Sequence, residues 1–533
     1  MTEPIGESMS VSSRWCVRLL YLLFVTAVLG GAIAVLRYAR ESPTIAPSGA
    51  PSSEPMPADI EAQVHMFCGA CHLYPHPDTF PRARWAAEVD RGYQFFATSR
   101  LALKPPRQEH VVQYYESRAP EDYPQLPVTL SSDPRVRFEQ VSYSPPSGSR
   151  VWVSHVQAVR LPPPGLTDPA AIAREPLTLI ACDMEGGNIL ALRPSDPSPT
   201  WKVLGTVRNP AHVEVVDLDR DGITDLLVAD LGSFLPTDQL LGSVVWLRGQ
   251  RDGTFESIPL LSVVGRVADV RAAEFCGSGQ LDLVVAVFGL HDAGEILLME
   301  NRTADWKKPL FARRVLDPRH GTIHVPVTDL NGDGKPDFVA LISQEHETVV
   351  AFLNQGGGNF AKKTLYSAPH PAWGSSGIEL TDLNADGRLD VLYTNGDILD
   401  APHLWRPFHG IQWLENKGDL NFEYHRIADM YGAHRAVAAH VTGGKLPDIL
   451  AVSFLPAAKF PDRDQRRPDA ITLFQQIEPG KFVRHCLAFG NCDAVSCCTA
   501  DLSGSGRQDL IIGNFGAPTT NHPVTIWKNL GPK

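Results

Sequence analysis

The chain has 533 residues, 43% hydrophobic and 20% charged, the balance of a globular protein and not of a disordered one. That length exceeds one ordinary core, so two or three units are expected, one of them large. A formal net charge of −12 at pH 7 argues against a nucleic-acid partner, because phosphate binding draws on a basic surface.

Residues 1–18 read as a cytoplasmic N-terminus. Residues 19–36 (LLYLLFVTAVLGGAIAVL) contain no charge and are bracketed by Arg18 and Arg37, about the minimum for a single transmembrane helix. A cleaved signal peptide is the competing reading, but no small-x-small cleavage site ends the run. Arginines on both sides leave the orientation unset. Residues 37–57, rich in Pro, Ser and Ala, read as a flexible linker.

Residues 58–123 form a small unit with helical spacing over Ile60–Ala70, Arg82–Phe96 and Gln108–Ser117, and a proline-rich loop from Pro75 to Pro81. So small a unit is expected to need a prosthetic group in its core. Its first helical stretch runs into Cys68-Gly69-Ala70-Cys71-His72. Thioether attachment of haem c needs two thiols for the two vinyl groups and an adjacent histidine for the iron, which Cys68, Cys71 and His72 supply. A redox CxxC would want a βαβ context and a zinc site a second cysteine pair, and neither is present. Because c-type maturation occurs outside the cytoplasm, the motif sets the topology: single-pass in the inner membrane, with the C-terminal bulk in the periplasm.

No Met stands between Met66 and Met184, so a Met sixth ligand within this unit is not expected. His76 lies too near His72 to reach the other haem face, and Tyr93 is a phenolate option. His110, on the third helix, is the better-placed imidazole, with an open or water-bound position as its rival. The stretch CGACHLYPHPDTFPRARWAAEV resembles the CxxCHxxPxPxxxPxxxW pattern of small c-type cytochrome modules fused to propellers in bacterial exported proteins. The resemblance spans about sixty residues. Where those modules carry Met after the Trp-bearing helix, this chain has Gly92 and Tyr93.

After a second linker, 124–135, the texture changes to short β runs. Three phrases are near-perfect copies: VVDLDRDGITDLLVAD from Val215, VTDLNGDGKPDFVALI from Val327 and LTDLNADGRLDVLYTN from Leu380. Degraded copies begin at Ala272, Ala438 and Thr499, giving a period of roughly 53 to 61 residues. Each copy continues through a strand, a Gly-rich turn and a strand opening on Phe, four short strands per repeat, as in propeller blades. His155–Gly205 makes a further blade without the acidic loop. The last repeat lacks its Phe strand, and an orphan strand, Arg135–Tyr143, resembles it. Pairing the two closes a seven-bladed all-β propeller over 136–533.

The phrase D-x-[DN]-x-D-G-x-x-D gathers oxygen ligands in a tight loop, which suits Ca²⁺. The complete sets are Asp217, Asp219, Asp221 and Asp225; Asp329, Asn331, Asp333 and Asp337; and Asp382, Asn384, Asp386 and Asp390. An EF-hand would need flanking helices and a Glu at loop position 12. In the degraded copies Cys276, Ser278, Thr442, Gly444, Ser503 and Ser505 replace ligands, so those loops are expected to keep the turn and lose the metal. These phrases resemble the FG-GAP and VCBS repeats of integrin-type propellers over about 390 residues. That resemblance implies about three structural Ca²⁺ sites, further carbonyl ligands at Ile223, Lys335 and Arg388, and a propeller face left for ligands.

His212, His324, His434 and His440 stand near the starts of inner strands and would mark a channel site if they converged. No nucleophile elbow, phosphate loop or zincin motif is present, and catalytic residues are not assigned. Cys486, Cys492, Cys497 and Cys498 are a candidate disulfide group if exported. The leading expectation is a membrane-anchored periplasmic haem c protein for electron transfer, whose propeller docks a redox partner protein or small-molecule donor. The alternatives are a propeller-face oxidoreductase feeding the haem and an extracytoplasmic binding or adhesion protein.

Overall fold

A computed structural model describes residues 55–99, 101–127, 134–145, 150–399, 403–516 and 522–533. The N-terminal segment, the apolar run 19–36 and most of the first linker lie outside the described residues. Among the described residues no helix is long and apolar enough to cross a membrane.

Residues from Val136 onward fold into seven antiparallel sheets, a seven-bladed all-β propeller. Blades 1 to 6 occupy 153–206, 210–264, 267–317, 322–367, 377–429 and 433–489, each a meander whose first strand is innermost. Blade 7 takes three strands from 494–532, and its outermost strand is β1, Val136–Ser142, paired antiparallel with Val524–Pro532. Glu139 sits opposite Lys528 and Val141 opposite Ile526. The orphan strand therefore closes the ring as expected. An N-terminal strand pairing with the C-terminal one leaves no open blade edge at the seam.

The second strand of each repeat explains why the ring holds. Asp225–Asp230, Asp282–Val287, Asp337–Ile342 and Asp448–Ser453 are buried along their whole length, since a neighbouring blade covers each side. Continuous apolar runs are what such double burial selects. The cores accordingly lie between blades: Leu227 and Trp246 of blade 2 pack with Val270, Leu283 and Val285 of blade 3. The outermost strands alternate exposed and half-buried residues. In blade 4 Pro326, which has no N–H to give the ladder, splits the inner strand into Thr322–His324 and Val327–Thr328.

Up-and-down pairing sorts the loops. The acidic first loops and the third-to-fourth hairpins share one face, here the bottom. The second-to-third loops and the connections between blades share the other, the top.

The small unit has helices α1 (Ile60–Cys68), α2 (Trp85–Thr98) and α3 (Gln108–Glu116), within three residues of the spans expected. Between α1 and α2 lie two short 3₁₀ turns, Pro77–Thr79 and Arg82–Arg84. Side chains of the unit itself pack around Val64, Trp85 and Tyr115. Trp85 stacks flat on Tyr115, ring centroids 3.7 Å apart, and its Nε1 donates to the Pro77 and Phe80 carbonyls. Ala372 and Leu404 of the propeller join that cluster. The Leu126 N–H donates to Tyr431 Oη at 2.8 Å, and Tyr123 meets Phe408 edge-on. The helices are thus seated on the top face, and the propeller supplies part of their core.

The cysteine expectation is corrected: among the described residues every cysteine is a free thiol. Cys497 and Cys498 are neighbours on one strand and so point to opposite sides of it. Cys486 and Cys492 each direct Sγ at a backbone carbonyl, of Ala488 and Asp469.

Candidate functional site

Cys68 ends α1, and Gly69 turns the chain, its N–H donating to the His65 carbonyl and the Ala70 N–H to the Phe67 carbonyl. A Cβ at Gly69 would lie 2.7 Å from the His65 carbonyl oxygen, so the first x of this CxxCH has to be glycine. Cys68 is half-buried and Cys71 exposed. Burial pushes the Cys68 thiol pKa up; burial and the nearby Glu345 carboxylate do the same for Cys71. A redox CxxC depends on a lowered thiol pKa, so this pair is unlike one.

His72 Nδ1 lies 2.7 Å from the Leu73 carbonyl oxygen. A carbonyl only accepts, so Nδ1 carries the proton in that bond and Nε2 keeps its lone pair for a metal. Among the three groups weighed for the opposite ligand, Tyr93 Oη donates to the Pro106 carbonyl at 2.6 Å, and His76 is solvent-exposed. His110 is 4% exposed, and its Nε2 is buried with no hydrogen-bond partner. An orphaned imidazole nitrogen and two unoxidised thiols fit the chemistry of a covalent haem with a second nitrogen ligand.

On the bottom face the acidic loops divide into two working parts. The closing aspartate of every copy is buried and takes a backbone amide on each oxygen. Asp225 Oδ2 accepts from Leu218 and Oδ1 from Gly249, at 2.9 and 2.7 Å. Asp337 and Asp390 do the same with Leu330 and Asn354, and with Leu383 and Asn416. So do Asp282, Asp448 and Asp509 in the degraded copies. Asp225, Asp337 and Asp390 therefore tie the first loop to the end of the third strand.

The remaining three positions of each set form the turn. The amides of Asp221 and Gly222 donate to Asp217, those of Asp333 and Gly334 to Asp329, and those of Asp386 and Gly387 to Asp382. In degraded blade 7 Ser505 and Gly506 donate to Asp501 in the same way, so the turn is kept there with serine in place of the other acids. Oxygens of Asp217, Asp219 and Asp221 converge within 4.8 Å. A basic group already leans on each loop: Arg248 Nη2 is 2.5 Å from Asp219, Lys335 Nζ is 2.9 Å from Asp333, and Arg388 pairs with Asp386. Asn331 and Asn384 each accept from the third residue's amide, of Asp333 and Asp386.

The channel brings some predicted histidines together. His212 Nδ1 is 3.0 Å from Asp269 Oδ1, His324 Nδ1 is 3.9 Å from Asp269 Oδ2, and the His155 and His212 rings are 4.3 Å apart. Arg271 bridges Asp269 and Glu214. Burial would raise the Asp269 carboxyl, but Arg271, His212 and His324 outweigh it and hold its pKa well below the ordinary range. Burial keeps His155 neutral, its pKa pushed down to about 3. His434 instead faces the Val495 carbonyl and His440 the Gly444 carbonyl, so neither joins the group. Beside it lies a cavity of about 280 Å³, lined by Arg271, His324, Glu379 and Arg435 among others. Sequence reasoning missed Asp269, Arg271 and His155; the equivalence of Asp269 with His212 and His324, one repeat on either side, was the available signal.

A family model for the FG-GAP-like repeat matches residues 329–393, which span the complete acidic loops of blades 4 and 5. The comparison with curated proteins gave no match. A seven-bladed propeller carrying an FG-GAP-like repeat points to a binding or docking role.

Proposed function

We propose that the chain is a periplasmic, membrane-anchored electron-transfer protein in which haem c, attached through Cys68 and Cys71, is presented on the top face of a docking propeller. When bound, the haem would supply one-electron chemistry. The chain's own part is to hold it: His72, with Nδ1 committed to Leu73, would offer Nε2 to the iron, and His110 would offer a second nitrogen. The observation that carries this reading is the CxxCH turn, with its thiols free and its histidine tautomer set, on the face that propellers use for ligands.

The bottom loops are read as Ca²⁺ sites built from Asp217, Asp219 and Asp221; Asp329, Asn331 and Asp333; and Asp382, Asn384 and Asp386, with Arg248, Lys335 and Arg388 giving way to the cation. Partners are a redox protein or a small-molecule donor reached from the membrane by the linker.

The test is a pyridine haemochrome spectrum of the full chain produced with c-type maturation. One covalent haem per chain is expected, lost in Cys68→Ala/Cys71→Ala. A wild-type chain without covalent haem sinks the reading, as does haem retained by the double variant. His110→Ala is expected to convert a low-spin oxidised spectrum to a high-spin one; an unchanged spectrum assigns the opposite position elsewhere.

A further inference from the structure

Two loops of the top face bring together a side-chain set that neither the repeat nor the haem motif accounts for. His320 comes from the connection between blades 3 and 4. Glu345 and His346 come from the 3₁₀ turn Gln344–His346 in the second-to-third loop of blade 4. One donor atom from each lies within 4.8 Å of the others. His320 Nε2 is 2.9 Å from Glu345 Oε1, and the His320 and His346 rings are 5.0 Å apart.

The arrangement is held from several sides. The Gly321 N–H donates to the Phe288 carbonyl and the Ser343 N–H to the Gly321 carbonyl, both at 2.8 Å, which locks the two loops to each other and to blade 3. A Cβ at Gly294 would lie 2.3 Å from the His320 Cβ, so glycine is what admits this imidazole. Gln344 and Glu347, on either side of Glu345 and His346, adopt φ of 55° and 44°. Left-handed backbone at two non-glycine residues is costly and persists where the surroundings impose it. Here they do: the buried Glu347 carboxylate accepts the Gly374 and Ser375 amides at 3.1 and 2.8 Å.

Two imidazoles and one carboxylate are the donor set that holds a divalent transition ion while leaving positions open for water or a ligand. All three residues are half-buried, within reach of solvent. Nearby Arg319 is already taken by Asp317, through Nε at 2.9 Å and Nη2 at 3.0 Å. Asp238 and Asp292 add negative potential at His320. The contrast is with Glu415, Glu423 and His425 on blade 5, a group of similar composition. There Lys417 Nζ lies 3.0 and 3.8 Å from the two carboxylates and serves as the cation.

We infer that His320, Glu345 and His346 form a binding site for a divalent transition-metal ion on the top face of the propeller, close to Cys71. The site stands on propeller residues alone and does not depend on the haem assignment.

Zn²⁺ is the probe. The full chain, stripped with EDTA and returned to buffer containing Ca²⁺ so that the acidic loops are occupied, is titrated with Zn²⁺ by calorimetry. Wild type is expected to bind one equivalent that His320→Ala/His346→Ala lacks. Glu345→Gln, which keeps the side chain's shape, is expected to weaken that equivalent by at least about a hundredfold, since losing even an outer-shell partner commonly costs ten- to a hundredfold. His425→Ala is expected to leave it unchanged. Equal stoichiometry and affinity in wild type and Glu345→Gln overturns the site, as does loss of the equivalent in His425→Ala alone. Circular dichroism of each variant separates lost binding from lost fold, and should the double variant misfold, Glu345→Gln decides.

Discussion

The two faces of the propeller are built on opposite plans. On the bottom, six first loops end in the same device, a buried aspartate holding an amide of its own loop and an amide at the end of the third strand. On the top, second-to-third loops run from four residues at 184–187 to fifteen at 395–409, and together with the connections between blades they seat the helical unit with its CxxCH turn and form the His320 cluster. Regularity on one face fixes the ring; irregularity on the other makes room for chemistry. Loops outside the ladder tolerate change because few core contacts depend on them.

The sharpest way to break this contrast is at the closing aspartates. Asp282→Ala, in a blade without a complete acidic loop, is expected to destabilise the propeller as much as Asp225→Ala. Each frees two buried amides at roughly 1–3 kcal/mol apiece, read as the shift in calorimetric unfolding. A large effect at Asp225 and none at Asp282 would return Asp225 to the metal.

On the top, Trp85→Ala removes the ring stacked on Tyr115 and is expected to cost the helical unit about 3–5 kcal/mol. Limited proteolysis should then cut within 58–123 while the propeller's transition stays put. Loss of both together would show that the helices are part of the propeller's own cooperative unit.

Removing Ca²⁺ with EGTA is expected to lower the unfolding temperature by less for each site emptied, since a ligand at a hundred times its Kd contributes about 2.7 kcal/mol per site. Asp217→Asn/Asp221→Asn should blunt that response. A chelator-insensitive transition would leave Arg248, Lys335 and Arg388 as the loops' cations.

The smallest effect is one of pH. Glu379 has Oε2 buried without a hydrogen-bond partner, and burial raises its pKa from the usual 4.5 to about 7, against the pull of Arg435 and the Ala438 amide. The folded chain thus holds this proton more tightly than the unfolded one. Its contribution is full below pH 4.5 and declines as pH rises from there through about 7. Glu379→Gln should flatten stability across that window; a wild-type profile already flat there would show that the carboxylate is not shut off from water.

Much of the architecture was legible because its signals are local. An aspartate loop spans nine residues, a buried strand six, and CxxCH five, so each can be read without knowing what lies across the ring. Closure by β1 was legible for a related reason: one strand too many at one end and one too few at the other. Local reading also set limits. It could not show that Asp225, besides closing the acidic phrase, accepts the Gly249 amide at the end of the third strand. It joined four nearby cysteines, two of which, Cys497 and Cys498, alternate to opposite sides of one strand.

The sequence by itself determined blade number, the closing strand and the acidic turns. Only the tertiary structure decided which face the helices occupy, which histidines share Asp269, and that His320 meets Glu345 and His346. Those contacts join residues on separate strands and loops, and their distances depend on how blades pack around the ring, a long-range geometry that no window of sequence contains.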